Sequence, residues 1–117
     1  MYDLIVSADV LQYLGQLEGV LQDAAALLDP KRGLLAFTLE ELQADYGQAA
    51  ADGGRAARGF LLGPTGRFLH TKAYVERALA QAGLVVETAR SYSPRMERGE
   101  PVPGFLYVVR RKRDGQI

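Results

Sequence analysis

The stretch YDLIVSADVLQYL, residues 2–14, decides the fold of this 117-residue chain. Leu4, Ile5 and Val6 form an unbroken apolar run, which is typical of a parallel strand that is covered on both faces. Residues that indicate a helix follow directly. Because no polar or turn-forming segment stands before this strand, we expect the elements that flank and cover it to be missing from the chain.

Further elements follow in the order expected of an α/β fold. Apolar residues at helical spacing predict a helix over residues 16–28, which ends at Asp29-Pro30. LLAFTLE, residues 34–40, predicts a second strand, and strand-helix-strand in this order is a right-handed crossover unit. Thr71 is the expected N-cap of a helix from Lys72 to Ala82, with Gly83 in the C-terminal capping position.

The last two predicted strands form a long hairpin. They are LVVETARSY, residues 84–92, and FLYVVRR, which starts at Phe105. A Pro- and Gly-bearing loop joins them, so the final strand is expected to be antiparallel to the others. We interpret residues 1–117 as one partial domain, with a loop or insert at 41–66, a short helix near 42–50 and a tail at 110–117.

Composition narrows the classes of partner. Fourteen basic and fourteen acidic residues cancel, so no overall field favours nucleic acid or an anionic membrane. The absence of cysteine excludes disulfides and thiolate ligands, and the single histidine argues against a metal centre. No apolar run is long enough to span a bilayer and no signal peptide is recognisable, so we expect a cytoplasmic protein.

Four segments in this order resemble the C-terminal half of a class I, Rossmann-like S-adenosylmethionine-dependent methyltransferase. They are YDLIVSADVLQYL, LLDPKRGLLAFTLE, AYVERALAQAGLVVE and GFLYVVRRK, similar to the family's fourth to seventh strands. GFLLGPTGRFLHTKAYV further resembles bacterial methyltransferase domains associated with tetratricopeptide repeats. The resemblance implies an α/β sheet of four strands with the last one antiparallel and with its helices mainly on one face.

The resemblance also implies a cofactor, S-adenosylmethionine, that this chain would not bind alone. The family's glycine-rich turn, its acidic residue after the second strand and its polar residue after the third are not found in this sequence. They would lie upstream of Met1. The predicted function is therefore the C-terminal portion of a methyltransferase with an unidentified acceptor. The alternative is a methyltransferase-derived interaction module that binds no cofactor.

By the same resemblance, the end of the first strand lines the cofactor pocket. The expected cofactor-binding residues are Ser7, Ala8, Asp9, Val10 and Tyr13. This position is also the crevice in which open α/β sheets bind ligands. The structural alternative is that Asp9 caps the following helix and that Tyr13 packs against it.

Arg67, His70 and Tyr46 are the candidate substrate-binding residues. His70 would serve as a general base near neutral pH, or would pack at the start of a helix. Arg67, between Gly63 and Gly66 on one side and His70 on the other, would bind an anion or simply follow a tight turn. Tyr46, together with Phe60 and Phe68, would close over a substrate or form a satellite cluster. No residue is assigned a catalytic role.

The basic run Arg110–Arg113 is interpreted as a solvated tail rather than a nucleic-acid site. If both helices lie on one face of the sheet, apolar residues on the opposite face stay uncovered, which is typical of an interface. The first strand would also present an unpaired apolar edge. We therefore expect a homodimer, or a partner that supplies the missing N-terminal half.

Overall fold

The computed structural model describes residues 1–42, 58–63, 66–93, 96–97 and 99–113. In these ranges, two helices lie among eight strands, with a 3-10 turn at Leu11–Tyr13. The helices are α1 (Glu18–Leu27) and α2 (Lys72–Gln81). The strands are β1 (Leu4–Ser7), β2 (Leu34–Glu41), β3 (Phe60–Leu62), β4 (Phe68–His70), β5 (Leu84–Tyr92), β6 (Met96–Glu97), β7 (Glu100–Pro101) and β8 (Gly104–Arg111).

The main sheet has β2 and β8 at its centre. β1 is parallel to β2 in the register Leu4 to Leu34, and β8 is antiparallel to β2. β5 pairs with the other edge of β8, so the order β1-β2-β8-β5 and the antiparallel final strand confirm the predicted fold class. β4 is parallel to β2 and pairs with it near Glu40, on the edge that β1 also occupies. β3 and β4 form a hairpin, which makes a sheet of six strands rather than the four predicted.

The core lies between this sheet and the two helices, which contact each other. Every second residue of the central strands faces the helices and is buried. These residues are Leu35, Phe37 and Leu39 of β2 and Phe105, Tyr107 and Val109 of β8. From α1 and α2 they meet Leu21, Val75, Ala78 and Leu79, among others. Burial of these side chains is the main driving force for folding, at about 1.5–3 kcal/mol for each large apolar side chain.

The opposite face of the sheet, which we call the open face, stays uncovered by helices within the described residues. Leu4 and Val6 of β1 are 59% and 62% exposed. Their neighbours in register on the other strands are only half-buried: Leu34, Ala36, Leu106, Val108 and Val85. Among the described residues, the predicted one-sided helix arrangement is thus confirmed, and the strand at residues 4–7 is covered on one face only.

Local capping agrees with the sequence at the second helix. The Thr71 hydroxyl accepts a hydrogen bond from the Tyr74 backbone N–H at 3.1 Å, which satisfies a donor at the helix start. Gly83, with φ of 75°, follows the helix end. The first helix differs slightly from expectation. Leu27 is 50% exposed, and Ala25 takes its place in the core because the helix presents Leu17, Leu21 and Leu28 to the sheet.

Candidate functional site

The turn after β1 lies in a gap along one edge of β2. β1 pairs with β2 as far as Ser7 and Phe37, and β4 pairs with β2 from Glu40 onward. In the gap, the backbone N–H of Asp9 donates a hydrogen bond to the Thr38 hydroxyl at 3.0 Å. Asp9 has a φ of 57°, in the left-handed region that aspartate tolerates better than most side chains. β2 therefore fixes the position of the turn.

The side chains of this turn are open to solvent. Val10 and Tyr13 are each 54% exposed, Ala8 and Asp9 are also exposed, and Ser7 is half-buried. The Tyr13 N–H donates to the Val10 carbonyl at 3.0 Å, which closes the 3-10 turn. The turn thus presents a carboxylate acceptor beside an apolar and an aromatic surface, as a ligand with hydroxyl groups and a flat ring would require.

A buried ion pair lies at the carboxyl end of β2. Glu40 is 3% exposed, and its Oε2 lies 3.7 Å from Nε of Arg67. The guanidinium carbon of Arg67 lies 5.7 Å from the centre of the Tyr13 ring, within cation–π range. Arg67 therefore joins the end of β2 to the turn after β1. The sequence analysis missed Glu40, although a carboxylate at the end of a predicted parallel strand is a signal that identifies such positions.

Arg67 also ends a tight turn between β3 and β4. The Gly63 N–H donates to the Arg67 carbonyl at 2.8 Å, and the Gly66 N–H donates to the Gly63 carbonyl at 3.2 Å. These hydrogen bonds join the backbone of Gly63 to that of Gly66 and Arg67, and the anion-binding role of Arg67 stays a prediction. The Arg67 side chain is 27% exposed and reaches Glu40.

His70 is fully buried. Its Nε2 lies 3.0 Å from the Gly15 carbonyl oxygen, and because a carbonyl only accepts, Nε2 carries the proton. Burial lowers the pKa of His70, although hydrogen bonds to the backbone of Gly15 and Leu14 oppose this effect. A neutral, enclosed imidazole favours the packing interpretation. Its role in substrate binding stays a prediction.

Aromatic rings surround His70 and tie the β3–β4 hairpin to α2. Tyr74 is stacked against the imidazole at 6.1 Å, and Phe60 lies 5.3 Å from Tyr74 and 6.0 Å from Phe68. Phe60 is buried within the main core and Phe68 is half-buried against it, so neither forms a separate satellite cluster. Tyr46, which was grouped with them, lies outside the described residues. The structure thus brings Arg67 to the turn after β1 and places His70 in the interior.

Two further features of the described residues bear on the class of site. Neither helix is long and apolar enough to cross a membrane. In the same part of the chain, no three acidic or histidine side chains come together in a way that would hold a metal ion.

Comparison with known proteins identifies the fold. No family model and no curated protein matches the chain. Among solved structures, a SAM-dependent methyltransferase from Methanosarcina mazei matches 97% of the chain with a TM-score of 0.68 and 13% identity. Magnesium protoporphyrin IX methyltransferase from Synechocystis, solved with bound SAH, matches 95% with a TM-score of 0.62 and 18% identity. The chain has a Rossmann-like methyltransferase fold.

The matched part of the methyltransferase fold is limited. The chain spans 60% of the Methanosarcina protein and 45% of the Synechocystis protein. An S-adenosylmethionine-dependent methyltransferase from Mesorhizobium loti gives a similar result, with a TM-score of 0.61, 17% identity and 94% of this chain matched to 62% of that one. At these sequence identities, the similarity between the chains is a similarity of fold.

Proposed function

We propose that this chain is the C-terminal portion of an S-adenosylmethionine-dependent methyltransferase and that it acts together with a further part of the fold. The observation that carries the proposal is the turn after β1, held by Thr38 at the carboxyl end of parallel strands with Asp9 and Tyr13 exposed. Open α/β sheets bind their ligands at this end. The fold that the chain shares with solved methyltransferases also supports this proposal.

The residues of this turn fit one side of the cofactor. The carboxylate of Asp9 accepts hydrogen bonds, as ribose hydroxyls require, and Tyr13 and Val10 offer apolar surface for a flat ring. The backbone of Ser7 and Ala8 would line the rest of this side. Residues that hold the opposite side of the cofactor would come from the further part of the fold.

In methyl transfer, this chain would mainly bind the cofactor and the acceptor and align them. S-adenosylmethionine, when bound, supplies a methyl group that its sulfonium already activates. The chain's own residues would hold the cofactor at Ser7–Val10, present the acceptor beside the ion pair of Arg67 and Glu40, and exclude water from the gap between β1 and β4.

The open face supports the proposal that the chain is inactive alone. Leu4 and Val6 expose their side chains, and within the described residues the outer edge of β1 has no pairing strand. An apolar face beside an unpaired edge is a surface for further strands and helices. We propose that the N-terminal part of the same fold covers both, in a cytoplasmic protein related to bacterial methyltransferases associated with tetratricopeptide repeats.

The same surface favours a second candidate function. In an interaction module that binds no cofactor, a second copy of this chain would cover the open face and form a homodimer. The exposed apolar residues of β1 support this candidate, whereas the arrangement of Asp9, Tyr13 and Arg67 supports the first.

The methyltransferase and the interaction module can be distinguished by calorimetry. The protein is isolated from its natural source, its intact mass is measured, and it is titrated with S-adenosylhomocysteine. We expect binding in the micromolar range and a loss of about tenfold, equivalent to ~1.4 kcal/mol, in Asp9→Ala. Asp23→Ala, on the exposed side of α1, is the matched control and should bind normally. A homodimer of the chain that gives no heat would overturn the methyltransferase proposal and favour the interaction module.

A further inference from the structure

The guanidinium of Arg67 is held on two sides. The Glu40 carboxylate lies 3.7 Å from Nε, and the Tyr13 ring lies 5.7 Å from the guanidinium carbon. The Arg67 side chain is nevertheless 27% exposed, whereas that of Glu40 is 4% exposed. The buried carboxylate of Glu40 therefore lies beside a cation that is still partly open to solvent.

The guanidinium of Arg67 has the hydrogen-bond donors that an anionic ligand requires. A guanidinium carries five N–H donors in a planar fork, and the nitrogen that lies 3.7 Å from the Glu40 carboxylate is Nε. The Arg67 side chain is partly exposed, and the N–H groups of its two terminal nitrogens match the two oxygens of a carboxylate. This group lies at the gap between β1 and β4, where the cofactor-facing turn is also located.

We propose that Arg67 binds a carboxylate of the methyl acceptor, and that Glu40 is its positioning residue. The identity of the ligand as the methyl acceptor rests on the proposed function, whereas the anion site rests on the positions of Arg67, Glu40 and Tyr13. Glu40 contributes by holding the fork in one orientation before the ligand arrives, so less ordering accompanies binding. Tyr13 adds a second constraint on the plane of the guanidinium.

A purely structural role for Arg67 predicts different behaviour. In that case Arg67 only compensates the buried charge of Glu40, and any cation in its place should serve equally well. Arg67→Lys keeps the charge and removes the fork, so it distinguishes the two roles without leaving Glu40 unpaired. Arg32→Gln is the matched control, because Arg32 lies on the surface at the opposite, amino end of β2.

The direct test is an NMR titration of the chain with benzoate and, separately, with its neutral analogue benzamide at constant ionic strength. We expect benzoate to shift the Nε–H signal of Arg67 and the amides of residues 66–70, with no response to benzamide. Arg67→Lys should weaken benzoate binding by about fivefold or more, and Arg32→Gln should not. Absence of a benzoate response at Arg67, or equal benzoate affinity in wild type and Arg67→Lys, overturns the proposal.

The cofactor also carries a carboxylate, so a second experiment distinguishes binding of the acceptor from binding of the cofactor. In the protein from its natural source, Arg67→Lys should change the affinities for S-adenosylhomocysteine and for 5′-methylthioadenosine, which lacks the carboxylate, by the same factor, because any effect would reach both compounds through Tyr13. A loss of affinity confined to S-adenosylhomocysteine would assign Arg67 to the cofactor carboxylate and overturn the assignment to the acceptor. The benzoate titration needs no cofactor, so its failure is distinct from a failure of the methyltransferase proposal.

Discussion

The hydroxyl of Tyr74 donates a hydrogen bond to the Glu18 carboxylate at 2.6 Å. It also accepts one at 2.9 Å from the backbone N–H of Leu17, directly before α1. Burial, reinforced by the bond to Glu18, raises the pKa of Tyr74 to about 12. The same bond is the main reason that the pKa of Glu18 is lowered. One phenol thus fastens the first turn of α2 to the start of α1.

Tyr74→Phe should destabilise the fold by about 1–3 kcal/mol, because it removes both hydrogen bonds and leaves the Leu17 N–H without this acceptor. Urea unfolding followed by circular dichroism measures the change. Tyr92→Phe, at a more exposed phenol on β5, is the control and should change stability by less than ~0.5 kcal/mol. Equal effects of the two substitutions would contradict the assigned role of Tyr74.

Two glycines should respond to alanine in opposite directions. Gly59 has a φ of 99°, and an added Cβ would clash with Cβ of Tyr74, so Gly59→Ala should destabilise by more than ~2 kcal/mol. Gly19, near the start of α1, has open space around it, so Gly19→Ala should stabilise by up to about 1 kcal/mol. Thermal unfolding of both variants is the measurement. A tolerated Gly59→Ala would show that the hairpin does not approach α2 this closely.

The buried His70 gives stability a defined pH dependence. Its pKa is lowered from 6.5 in the folded protein, so the unfolded chain binds its proton first as the pH falls. The stabilisation that comes from a neutral His70 is complete above the unfolded pKa and is lost as the pH falls through 6.5 towards the folded pKa. Denaturant unfolding between about pH 5 and 7.5 should show this loss, and His70→Gln should flatten it. A wild-type slope that persists in His70→Gln would point to other groups.

The open face should drive association of the isolated chain. Val6→Lys places a charge among Leu4, Leu34 and Ala36, so it should reduce self-association in sedimentation equilibrium without loss of secondary structure. Leu27→Lys is the matched control, because Leu27 is similarly exposed but lies on α1, on the other side of the sheet. If the wild-type chain sediments as a monomer at all concentrations, the open face is not an interface between copies.

Periodic segments of the sequence predicted their elements well. The strand at 84–92 has the predicted bounds, and the second helix lies between Thr71, whose hydroxyl accepts a hydrogen bond, and Gly83, which has a positive φ. Local propensity and tertiary packing agree in this helix, because its apolar side meets the core.

The β3–β4 hairpin was missed because its strands have three residues each and lie beside Gly63 and Gly66, which read as loop. The pairing of Glu40 with Arg67 depends on the register of β4 against β2, a contact between segments that periodicity does not encode. Asp9 and Tyr13 could be named as candidates because they follow a recognisable strand. Arg67 could also be named as a candidate, but its contacts with Glu40 and Tyr13 could not be predicted from the sequence.

We propose that the turn at Ser7–Tyr13 is one side of a cofactor pocket whose other side comes from a further part of the fold. Calorimetric titration of S-adenosylmethionine into the 117-residue chain alone is the decisive experiment. We predict no measurable binding, because this side offers Asp9 and a small apolar surface only. Micromolar affinity would contradict the claim and would show that these residues form a complete pocket by themselves.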